Sequence, residues 1–73
     1  MLIRLLEDRR YFKRDKRSDT LVCRPGQVVL KDEIVDIQVT EEVSGNSIVC
    51  FEYKGNEFYF LVDELKGRYY YVL

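Results

Sequence analysis

The stretch from Ile48 to Val62 constrains the fold more than any other part of the chain. Two runs rich in β-formers, IVCFEY and FYFLV, flank Lys54-Gly55-Asn56-Glu57. Gly-Asn suits a two-residue hairpin loop, because both residues tolerate positive φ. With Gly55 and Asn56 as the loop, Lys54 faces Glu57, Tyr53 faces Phe58, Phe51 faces Phe60 and Val49 faces Val62. One face of such a hairpin is wholly aromatic or branched apolar, and opposite charges close its turn.

The chain before the hairpin is read as β as well. Ile34 to Val39 alternates, with Val35, Ile37 and Val39 on one side and Ile34, Asp36 and Gln38 on the other, as in a half-buried strand. Parity then constrains the link to the hairpin. A two-residue loop at Gly45-Asn46 sends the valine stripe away from Phe51. A three-residue loop, Ser44-Gly45-Asn46, pairs Val39 with Phe51 and Ile37 with Tyr53 and joins both apolar stripes in one core, so an odd loop with a bulge is expected. Upstream, TLVC and VVLK are separated by Arg24-Pro25-Gly26-Gln27, a type II turn signature, which splays strands and makes a corner.

Residues 1–17 admit two readings. Leu2, Leu5, Leu6 and Phe12 fall near one helical stripe, whereas Met1, Ile3 and Leu5 alternate as in an edge strand. A strand to Leu6 followed by a long charged loop is preferred, since the rest of the chain is β; a helix over 1–17 is the alternative. After the hairpin, Asp63-Glu64-Leu65-Lys66-Gly67 predicts one helical turn, with Asp63 as cap, Leu65 plugging the core and Gly67 as the left-handed exit. A last strand, Arg68-Tyr-Tyr-Tyr-Val-Leu73, follows.

Strand, long loop, meander, one helical turn and final strand is an order that resembles the SH3-like small barrels. The likeness rests on IVCFEYKGNEFYFLV, DELKG and RYYYVL. It implies a five- or six-stranded barrel and a role in binding, without implying the ligand. The chain lacks tryptophan, and the aromatic and proline-binding motifs of signalling SH3 domains are not evident.

Seventy-three residues make one domain, 1–73, with a small core. No apolar run approaches the ~20 residues of a membrane helix, and no signal-peptide pattern opens the chain, so the expected location is cytoplasmic and no membrane partner is expected. There is no histidine, nucleophile elbow or phosphate-cradling loop. The expectation is a non-enzymatic protein with no metal, no cofactor and no small-molecule substrate. Cys23 and Cys50 read as reduced, mostly buried residues.

Charge is distributed unevenly. Residues 1–24 hold eight basic and four acidic side chains, and the rest hold four basic and nine acidic ones. Arg9, Arg10, Lys13, Arg14, Lys16 and Arg17 could neutralise phosphates while Tyr11 and Phe12 stack on bases, which makes nucleic acid the alternative partner. The plainer reading is a solvated segment anchored by its aromatics.

The favoured reading is a protein-interaction module or regulatory subunit, binding a protein partner or a second copy. Its expected interface comprises the outer face of the hairpin, Ile48, Cys50, Tyr59 and Leu61, with Tyr69, Tyr70 and Tyr71 of the last strand. Either a partner or the N-terminal segment must cover that hairpin face. The acids Asp32, Glu33, Asp36, Glu41, Glu42 and Glu52 read as a solvated face.

Overall fold

The computed structural model describes residues 1–43 and 45–72. The fold is mainly β, in the order β1 (Leu2–Leu5), β2 (Arg9–Arg10), β3 (Lys13–Asp15), β4 (Thr20–Val22), β5 (Val28–Val29), β6 (Ile34–Val43), β7 (Asn46–Tyr53), β8 (Asn56–Leu61), α1 (Val62–Leu65) and β9 (Tyr69–Tyr71). A five-stranded antiparallel sheet runs β8-β7-β6-β1-β9, and two small ladders, β2-β5 and β3-β4, come from the long segment between β1 and β6. The sheets do not close into the expected barrel.

Residues 1–17 form no helix; β1 is a strand, and an interior one. Ile3 and Leu5 are buried because β1 lies between β6 and β9, so the edge position inferred from their alternation is corrected. The Arg24–Gln27 turn forms as expected. Gly26 has φ +90°, and the Gln27 N–H donates to the Arg24 carbonyl at 3.1 Å. Its flanking strands diverge, β4 to β3 and β5 to β2.

The hairpin forms two residues out of the expected register. Tyr53 pairs with Asn56, Phe51 with Phe58, Cys50 with Tyr59 and Val49 with Phe60. Lys54 (φ 52°) and Gly55 (φ 80°) are the loop. Positive φ at both central positions is the type I′ conformation, which matches the twist of the flanking strands. Because the displacement is an even number of residues, every side chain keeps its expected face.

The predicted odd loop between β6 and β7 is also corrected. Val43 pairs with Asn46, so the link is even; Ser44 lies outside the described residues. The extra residue sits inside the strand instead, as a bulge between Ile37 and Thr40. On one side of it Ile37 pairs with Phe51, and on the other Thr40 pairs with Val49. The bulge reverses which face each parity presents. Val35 stays in the main core, Val43 is delivered to the opposite face, and Val39 is left 62% exposed.

Two apolar layers result. The main core gathers Ile3, Leu5, Val29, Val35, Val49, Phe51, Phe60 and Leu65. Across the sheet, Phe12, Val43, Ile48 and Cys50 are buried outside that cluster. Phe12 forms an isolated bridge with Tyr59, which pairs with Cys50, so the three lie in a row on one face. The N-terminal segment therefore covers the outer face of the hairpin. The helical turn sets Leu65 in the core as expected and exits through Gly67 at φ 72°, but no side-chain cap forms at its start, so Asp63 is not the cap.

Candidate functional site

The basic segment is held to the sheet by its own side chains. Tyr11 packs edge-on to Phe51 and tilts against Phe58, with ring centroids 6.1 and 4.5 Å away. Phe12 is buried, and the Arg10 guanidinium lies 5.0 Å from its ring centroid. Three of the six cations meet acids of the same chain. Arg9 contacts Glu7 at 2.5 Å, Arg10 grips Glu64 with bonds of 2.6 and 2.9 Å, and Arg14 bridges Asp19 at 2.9 Å and Glu41 at 3.0 Å. The hydrogen bond from Arg10 holds the Glu64 carboxyl below its ordinary pKa, outweighing partial burial. Lys13, Lys16 and Arg17 make no ion pair among the described residues; Lys13 lies 5.8 Å from the Phe58 ring centroid.

The expected hairpin-face interface divides. Ile48 is fully buried and Cys50 is 6% exposed, while Leu61 and Tyr59, which bridges to Phe12, are half-buried. Burial raises the Cys50 thiol above its ordinary pKa, which keeps it neutral. Both cysteines are free. Ile48 and Cys50 thus pack within the chain, and of the two Cys50 alone reaches the surface, at 6%.

The last strand is different. Among the described residues β9 pairs only with β1, matching Ile3 with Tyr71, Arg4 with Tyr70 and Leu5 with Tyr69, and it ends the sheet. Tyr70 is 44% and Tyr71 56% exposed. Tyr69 and Tyr71 share the face of Ile3 and Leu5, with rings edge-to-face at 5.6 Å; a hydrogen bond with Tyr71, aided by burial, raises the Tyr69 pKa. Tyr70 lies on the other face, where its hydroxyl accepts a 3.1 Å hydrogen bond from Arg4 and its ring receives the guanidinium at 5.8 Å.

Beside β9, on the face shared with Ile3 and Leu5, lies a groove of about 300 Å3 whose walls include Tyr69, Tyr71, Ile37, Val49, Val62 and Leu65. The sequence indicated the tyrosines but not the groove, because its walls come from four elements that span residues 37 to 71 and meet only in the folded chain. Leu65 was legible as a core plug, yet nothing local shows that its surroundings stay open on one side.

No group of acidic or sulfur ligands suited to a metal occurs among the described residues, and no helix there is long and apolar enough to cross a membrane. No family model, no curated protein and no solved structure matches the chain.

Proposed function

We propose that the chain is a small non-enzymatic protein-interaction module of SH3-like design, with its interface on β9 and the adjoining groove. The observation that carries this reading is the open edge. Three consecutive tyrosines border the sheet, two of them well exposed, next to an apolar depression rooted in the core. Tyrosine offers large contact area with few rotatable bonds, which makes such a surface well suited to binding a partner. The order of elements along the chain supports the design: a strand, a long segment, the strands β6, β7 and β8, a helical turn and then β9. The basic segment is given the structural role, since its aromatics and half of its cations are spent on internal contacts.

A photo-crosslinking amino acid placed at position 71, and as a control at the exposed position Glu42, tests this in the source cell. Protein adducts at 71 with none at 42 are expected. Equal labelling at both sites, or none at either, overturns the assignment.

A further inference from the structure

We infer that the occupant of the β9 edge is the β9 of a second copy, added antiparallel about a two-fold axis at Tyr70, a step that rests on the interface reading above. The ladder to β1 identifies the free backbone groups. The Leu6 N–H donates to the Arg68 carbonyl at 2.8 Å, and the Val72 N–H donates to the Leu2 carbonyl at 3.0 Å. Alternation in an antiparallel pair therefore turns the backbone of Arg68, Tyr70 and Val72 toward β1 and that of Tyr69 and Tyr71 outward. The outward groups lie symmetrically about Tyr70, so they complement themselves. A copy rotated by a half-turn sets Tyr69 opposite the partner's Tyr71, and the two positions exchange four backbone hydrogen bonds.

Side chains favour the same register. Tyr70 meets the partner's Tyr70, Arg68 falls opposite the partner's Val72, and no like charges face each other directly. On the face of Ile3 and Leu5 the partner's Tyr69 ring arrives beside Tyr71, at the mouth of the groove. The edge lacks the devices that keep free strands apart: within Tyr69–Tyr71 there is no proline, bulge or charged side chain. A net charge of −1 per chain opposes pairing little. The short ladder makes this a weak dimer that dissociates on dilution.

Sedimentation at increasing concentration tests the pairing. The wild-type mass is expected to rise toward twice that of one chain at high micromolar concentration. Tyr70→Lys, with its fold checked by circular dichroism because the lysine also faces Arg4 of its own chain, sets two cations against each other at the axis and weakens association about tenfold or more. Mixing it with isotope-labelled Tyr70→Glu restores a pair with one chain of each kind, read by native mass spectrometry. A wild-type mass that stays monomeric, or a mixture that associates no better than Tyr70→Lys alone, overturns the inference. A monomer whose position 71 still crosslinks to a foreign chain overturns the second copy and leaves the interface reading standing. A monomer without such adducts overturns both.

Discussion

Phe51 stacks on Phe60 with ring centroids 4.0 Å apart and planes 8° from parallel, although the two are not direct cross-strand partners. Phe51 pairs with Phe58, and Phe60 reaches it diagonally across the β7-β8 ladder, the kind of contact long aromatic side chains make between positions offset by two. Both rings are almost fully buried. Removing either opens a cavity that a core this small cannot close by collapse. Phe51→Ala is expected to cost about 3–5 kcal/mol, most of the ~5 kcal/mol that a domain of this size commonly has. Urea denaturation followed by tyrosine fluorescence checks it; a loss below about 1 kcal/mol contradicts the stacked core.

Lys54 occupies a left-handed conformation at φ 52°, next to Gly55 at φ 80°. A residue with a long side chain pays for that conformation, and asparagine pays less. Lys54→Asn makes the loop Asn-Gly, the preferred type I′ pair. It forfeits the Lys54 ammonium 5.1 Å from the Tyr53 ring centroid, a minor contact at an exposed site. A net gain of about 0.5 kcal/mol is expected as a higher urea midpoint. No gain would indicate that the loop lies at Gly55-Asn56 after all.

Glu52 pairs with Asp36 on one side and with Glu57 on the other, so three carboxylates line up across β6, β7 and β8. Like charges directly opposite on neighbouring strands repel. Glu52→Lys replaces two repulsions with two attractions on an exposed face and should stabilise by about 0.5–1 kcal/mol. The gain should shrink as salt is raised, because exposed pairs are screened. A loss of stability at low salt runs against this register.

Tyr53 is held protonated to about 12, chiefly by a hydrogen bond with Glu33 and secondarily by burial. An unfolded tyrosine ionises near 10. Above that pH the unfolded chain releases its proton before the folded one does, so protons bound to the native state then favour it less with every further rise. The stabilisation from Tyr53 is complete below about pH 10 and disappears as pH climbs through about 12. Ultraviolet titration should show two of the chain's six phenols, Tyr53 and Tyr69, ionising later than unperturbed ones, and Tyr53→Phe should remove the component near 12. A titration unchanged by that substitution speaks against the Glu33 bond.

What was legible in the sequence was what depends on neighbours along the chain. The alternation in IVCFEY and FYFLV identified two strands and their faces, and Pro25-Gly26 identified a corner. Leu65 before Gly67 identified a helical turn that plugs the core. These signals survive because side-chain period and φ preference are local properties.

Register and coverage were decided only in three dimensions. Lys54-Gly55 displaced Gly55-Asn56 as the loop, a change of two residues that leaves the apolar pattern of the strand intact and so leaves no trace in it. The bulge between Ile37 and Thr40 was displaced from the expected loop because parity requires one extra residue and does not say where it goes. Phe12 came to lie beside Tyr59 through a pairing of residues more than forty positions apart, which no local pattern records. The same holds for the open edge: the sequence determined that Tyr69, Tyr70 and Tyr71 form a strand with aromatics on both faces, and only the placement of β9 beside β1, with no strand beyond it among the described residues, left that edge open.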